Sequence, residues 1–141
     1  MKDERKLQIS LAIIRLSLVL FFLVWSIGKL IVPELTQKVF ATFYFSEISP
    51  TASVGIGALQ TVIVLIFLAG QFKTLSYGGV LGMHTVSVLS TYRQLLNPYQ
   101  PPNPLFWAGV PVLGALIALF LLRDRDWLCH CAERNRLLTL S

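Results

Sequence analysis

Acidic side chains are scarce in this 141-residue chain: seven Asp and Glu stand against twelve Lys and Arg. Charged residues of both signs make up 13%, well below the roughly 25% of soluble domains. That deficit excludes an ordinary water-soluble globule. Cysteine and histidine occur twice each. Two cysteines one residue apart, Cys129 and Cys131, cannot form a disulfide framework. Haem ligation by two intramembrane histidines is excluded, because His130 lies outside the apolar runs and only His84 remains. There is no Walker loop, dinucleotide-binding glycine pattern, H-E-x-x-H or serine elbow, so nothing marks a self-contained hydrolase or a resident metal. No signal peptide is expected either. The first apolar run is longer than a signal h-region and lacks a small-residue cleavage site after it, so it should stay as an anchor.

What remains is grease: 55% hydrophobic residues and a mean hydropathy of +0.67. The chain is organised around residues 11–32, LAIIRLSLVLFFLVWSIGKLIV. As a helix this run reaches about 33 Å, enough to cross a hydrocarbon core of about 30 Å. Its Leu, Val, Phe and Ile lie on every face, whereas a soluble amphipathic helix needs a wet one. The charged start, MKDERK, should stay in water. The expected fold is all-α: a single polytopic membrane domain over residues 1–141, a four-transmembrane-helix antiparallel bundle. Its spans fall at about 8–32, 51–71, 74–96 and 105–122, with a tail at 123–141.

Punctuation supports these bounds. Pro33 ends the first span, since the residue before a proline is pushed out of the α region. In residues 33–50, Val39, Phe40, Phe43 and Tyr44 share one face, and Glu34 and Lys38 are four apart and can pair. Aromatics collect at the membrane–water boundary, so a short interfacial helix is expected between spans one and two. Gly55, Gly57 and Ala58 open the second span to close approach by a neighbour. Residues 70–73 form the turn into the third span, so short that antiparallel neighbours follow. The third span is uncharged but rich in Gly, Ser and Thr. A proline-rich loop at 97–104 precedes the fourth, in which Pro111 should produce a kink or free a carbonyl near residue 107.

The net charge of +5 reads as a topology signal rather than a nucleic-acid footprint. Lys2, Arg5 and Lys6 precede the first span, Lys73 sits in the tight turn, and Arg123, Arg125, Arg134 and Arg136 follow the last. The positive-inside rule places this group in the cytoplasm. Both termini then share a compartment, which requires an even number of spans and retains the weak third one. The expectation is a multi-pass protein of the cell membrane, the inner membrane in a bacterium, with the lipid bilayer as its surroundings and other membrane subunits as candidate partners.

Four residues are the candidate site. Arg15 and Lys29 are the charges of the first span, about four turns apart on one face with Ser26. They read either as interfacial anchors whose heads reach lipid headgroups or as a polar seam facing the other helices. His84 sits mid-span in a stripe with Tyr77, Ser87, Thr91 and Gln94, and Gln60 and Thr61 lie at similar depth. Polar groups in hydrocarbon need partners. Interhelical hydrogen bonding, worth about 0.6 kcal/mol per contact, is one account; a quinone or proton site built on His84 is the other. Gly78 and Gly82 form a small-xxx-small pair suited to helix packing within the chain or between copies. Cys129-His130-Cys131 offers thiolate and imidazole, but the spacing is poor for zinc and a second ligand pair is missing; reduced cytoplasmic thiols are the plainer reading.

At Arg15-Leu16 and at Trp25-Ser26-Ile27-Gly28-Lys29-Leu30 the first span resembles the DoxX-like family of small four-helix integral membrane proteins. The likeness extends through the glycine-flanked second span to Leu68-Ala69-Gly70. It implies a four-helix membrane bundle serving as a small subunit or accessory of a quinone-linked redox system, with quinone or a lipid headgroup near Arg15, Lys29, Gln60 and His84. Many members carry an acidic residue in the second span where this chain has Gln60, which cannot relay a proton near neutral pH. A non-catalytic structural or assembly subunit of a larger membrane complex is the alternative. A small transporter comes third, since Pro111 is the lone candidate helix break and no paired repeat is visible.

Overall fold

The computed structural model describes residues 2–128; Cys129-His130-Cys131 and the rest of the tail lie outside them. The described chain is all-helical: α1 (Lys2–Ile31), α2 (Pro33–Phe43), α3 (Pro50–Ala69), α4 (Lys73–Ser90), the short α5 (Tyr92–Leu96) and α6 (Gly109–Leu121), with 3₁₀ turns at Asn103–Ala108 and Arg123–Arg125. Three stretches are long and apolar enough to cross a membrane: Lys2–Ile31, Pro50–Ala69 and Asn103–Leu121. They mark a helical membrane protein. α4 is 18 residues long, or about 27 Å, but its Gly, Ser, Thr and His make it more polar than those three.

The expected bounds shift in ways the backbone explains. Helix α1 begins at Lys2, so the charged head is its first turns rather than a separate tail; Asp3 and Glu4 lie in the first turn, where the helix dipole favours acid. Pro33 breaks the chain as expected, then serves as the first residue of α2, the position where its missing N–H costs nothing. In α3, Ser49 caps the start by accepting from the Ala52 N–H at 3.1 Å, and Gly70 (φ 69°) closes the end. That left-handed φ suits glycine. The third expected span divides at Thr91 into α4 and α5. Pro111 does not kink a long helix. The 3₁₀ turn becomes α-helix at Gly109, leaving Pro111 in the first turn of α6, where its N–H would lack a partner anyway.

Inside-out patterning is plain in α1. Leu11, Ala12, Arg15, Leu18, Val19, Phe22 and Ser26 are buried at helical spacing, while Leu20 and Val24 face outward at 68% and 73% exposure. Apolar residues thus occupy both the packed and the outer face, as lipid surroundings permit. The core joins Leu11, Leu18, Val19 and Phe22 to Val64 and Phe67 of α3, Tyr77 and Val80 of α4, and Leu116 and Leu119 of α6. The closest associations are α1 with α3 and α4 with α6. Gly57 makes the first possible: a Cβ there would stand 2.8 Å from Lys29 Cβ and 2.9 Å from the Ser26 carbonyl oxygen. Gly55 has nothing within 4 Å, and neither does Gly82, whereas a Cβ on Gly78 would meet the Phe120 ring at 3.4 Å. The Gly78/Gly82 pair therefore does not form one packed face within the chain.

Helix α2 buries Thr36 and half-buries Val39, Phe40, Phe43 and Tyr44, the expected face. Gln37 holds the return loop by donating to the Ile48 carbonyl at 2.8 Å. Glu34 and Lys38 do not form an ion pair, although among the described residues three others do.

Candidate functional site

Arg15 is fully buried, and so is Asp126, which follows α6. Arg15 Nη1 stands 3.1 Å from Asp126 Oδ2 and 3.1 Å from the Tyr77 hydroxyl. Tyr77 in turn donates to Asp126 Oδ2 at 2.6 Å. Arg15 Nη2 donates to the Leu128 carbonyl. Three elements remote in sequence (α1, α4 and the segment after α6) thus meet in one charge-assisted cluster. The Phe67 ring closes it edge-on against Tyr77, centroids 4.8 Å apart. A charge held away from water costs several kcal/mol unless it is paired and hydrogen-bonded; here both bonds to the carboxylate converge on Oδ2, while Asp126 Oδ1 is buried without a hydrogen-bond partner among the described residues.

A half-wet collar surrounds this clasp. Arg125 pairs with Glu4. Gln8 donates to the Arg125 carbonyl and accepts from the Trp127 N–H at 3.1 Å. Arg123 stacks on Phe120, 4.3 Å from its centroid. The start of α1 and the segment after α6 therefore lie together.

Burial overturns the anchoring reading of Arg15: its guanidinium points inward. Lys29 belongs elsewhere. It is about four helical turns beyond Arg15, with its Nζ 3.4 Å from the Trp25 carbonyl, so Arg15 and Lys29 do not make one site. Ser26 is buried and bonds the Leu23 carbonyl at 3.4 Å, while Ser53 ties α3 to the Lys29 carbonyl at 3.2 Å.

His84 is buried against the adjoining rings of Phe21 and Phe22, both edge-on to it, at 5.8 and 5.9 Å. Its Nε2 lies 2.8 Å from the Gly109 carbonyl oxygen, which makes Nε2 the protonated nitrogen in this arrangement. A Cβ on Gly109 would come 3.3 Å from Val88 and 3.7 Å from the imidazole, so glycine lets α6 begin against the ring. Gln60 is half-buried and makes no hydrogen bond among the described residues. Thr61 bonds its own helix at Gly57, 2.7 Å away. The four expected site residues are therefore scattered: Arg15 in the clasp, His84 against α6, Lys29 and Gln60 along the α1 and α3 flanks.

The expected α4 stripe likewise divides. Tyr77 joins the clasp and His84 the helix contact. Thr91 bonds the Val88 carbonyl at 2.9 Å and Ser87 is exposed. Gln94 lines a cleft of about 300 Å³ with Thr42, Phe43, Phe45, Ser90, Tyr92 and Arg93. This cleft is at the end of the helices remote from the clasp, and none of the four expected residues lines it. Among the described residues no cluster of His, Cys, Asp or Glu could hold a metal ion. Asp126 escaped the sequence reading. The signal that could have found it is the scarcity of acids: an arginine inside a span needs a counter-ion, and few carboxylates can reach its end of the chain.

No family model matches this chain, nor does a curated protein or a solved structure.

Proposed function

We propose that the chain is a four-pass, DoxX-like protein of the cell membrane with both termini in the cytoplasm. On this reading it is a small accessory subunit of a quinone-linked redox system, contributing assembly rather than electron transfer. The single observation that carries the reading is the 3.1 Å approach of Arg15 to Asp126. It brings the first and last apolar helices to one end, as an even number of crossings requires. With α1, α3 and α6 crossing, α4 must cross as well.

The redox association comes from the resemblance at Arg15-Leu16 and Gly28-Lys29-Leu30. Support for a non-catalytic role is internal. Arg15, the motif's own residue, is consumed in holding α1 to the last helix. His84 Nε2 is engaged by a backbone carbonyl. Together these engage Arg15 and His84 within the chain's own helices and leave its apolar outer faces free for lipid and for larger partners.

The test is native mass spectrometry after mild detergent extraction. The chain should emerge with larger membrane proteins, and Arg15→Ala should lower the amount of assembled complex without lowering turnover per complex. Purification always as a lone chain would remove the subunit role. Bound quinone that is lost in His84→Ala would give the chain a redox site of its own and sink the non-catalytic reading. Orientation is read separately with an impermeant maleimide on Lys2→Cys and on the native Cys129 and Cys131. Reaction from opposite sides would leave an odd number of crossings.

A further inference from the structure

The cleft at the end remote from the clasp has a composition that no helix packing explains. Its walls are aromatic, from Phe43, Phe45 and Tyr92, and its lining holds one cation, Arg93, with no carboxylate. Arg93 Nε donates to the Tyr92 hydroxyl at 3.1 Å, and its guanidinium lies 5.8 Å from the centroids of both the Phe45 and the Tyr92 rings. The terminal Nη donors make no hydrogen bond among the described residues, and Arg93 has no ion-pair partner there. Beside it, Gln94 Oε1 is buried with no donor. A buried acceptor without a partner is costly, so the cleft lacks one hydrogen-bond donor, and beside that acceptor the exposed Arg93 presents a cation with no carboxylate in the lining. Its volume of about 300 Å³ is at the lower limit of small-ligand sites, the size of a headgroup rather than of a whole cofactor.

We propose that this cleft binds the headgroup of an anionic phospholipid, with the phosphodiester on Arg93 and a headgroup hydroxyl donating to Gln94 Oε1. Arginine is suited to phosphate, because its fork presents parallel N–H groups. The aromatic walls belong to the membrane–water boundary, where such a headgroup lies while its acyl chains run down the outer helices. A phosphoglycerol headgroup meets both needs. Phosphocholine carries the phosphate but has no donor for Gln94 and adds a cation. The inference requires only that the chain sit in a bilayer, not that it be a redox subunit.

Native mass spectrometry of the full chain in mixed micelles of phosphatidylglycerol and phosphatidylcholine tests it. Phosphatidylglycerol should be retained at least about tenfold better, corresponding to about 1.4 kcal/mol. Arg93→Gln should abolish the preference, Arg93→Lys should keep part of it, and Gln94→Leu should narrow it. Lys73→Gln, at the clasp end, should leave it intact, and circular dichroism checks that each variant is helical. Equal retention of the two lipids, or a preference surviving Arg93→Gln, would overturn the proposal. Displacement of the lipid by millimolar inorganic phosphate or glycerol phosphate would also overturn it, by assigning the cleft to a soluble anion. None of these outcomes depends on partner proteins, so the lipid site and the accessory role can fail independently.

Discussion

Two arginines stand at opposite ends of the helices, and their surroundings could hardly differ more. Arg15 is fully buried against Asp126 and Tyr77. Arg93 is exposed, lies beside two aromatic rings, and opens onto a cleft whose lining holds no carboxylate. One end uses its guanidinium to fasten three segments; the other keeps a guanidinium available. The contrast separates stability from recognition, and mutation can break it at either end.

The largest effect belongs to the clasp. Removing one partner from a buried pair costs about 3–5 kcal/mol because the other charge is stranded. Arg15→Ala and Asp126→Ala should each lower the thermal midpoint in detergent sharply, while the double variant Arg15→Met with Asp126→Leu should recover most of the loss. Equal damage from single and double variants would mean that packing, not charge, closes this end. Tyr77→Phe keeps the ring against Phe67 but deletes the hydroxyl's bonds to both Arg15 and Asp126, with an expected cost of at least about 1.5–3 kcal/mol in the same unfolding assay. Between the two ends, Gly57→Ala should cost about 1–3 kcal/mol by overpacking, seen as a lower midpoint with the lipid preference retained. The smallest change is expected at the cleft. Arg93→Gln should shift stability by no more than about 0.5 kcal/mol, as surface substitutions do. A loss there as large as at Arg15 would erase the contrast.

Much of the backbone was legible because its causes are local. The apolar runs predict α1 and α3, Pro33 predicts the break, and Gly70 predicts the turn, each from the chemistry of neighbouring residues. The clasp was not legible, because its cause is remote: Arg15 and Asp126 are 111 residues apart. Asp126 also sits in the run Arg123-Asp124-Arg125-Asp126, which reads as a solvated exit. Nothing local distinguishes buried Asp126 from exposed Asp124. His84 was recognisable as a buried polar residue needing a partner, but the partner is the backbone carbonyl of Gly109, and a carbonyl leaves no trace in sequence. The site expected around Arg15, Lys29, Gln60 and His84 grouped residues by depth, while the fold separates them by helix face and by end. The cleft went unforeseen because its two walls are loop-flanked and come from segments nearly fifty residues apart.

The clasp also has a consequence for the order in which the protein is made. Arg15 leaves the ribosome early, and its counter-ion follows 111 residues later. At about 5–20 residues per second the wait is roughly ten seconds. Throughout that interval the first helix carries an unneutralised guanidinium about one turn inside its apolar run, at a cost below the ~2.5–3.5 kcal/mol of an arginine at the helix centre on insertion scales. The nascent protein is therefore committed to the bilayer by its leucines and phenylalanines before its fastening exists, and a chain cut short ahead of residue 126 should be an early target for quality-control proteolysis.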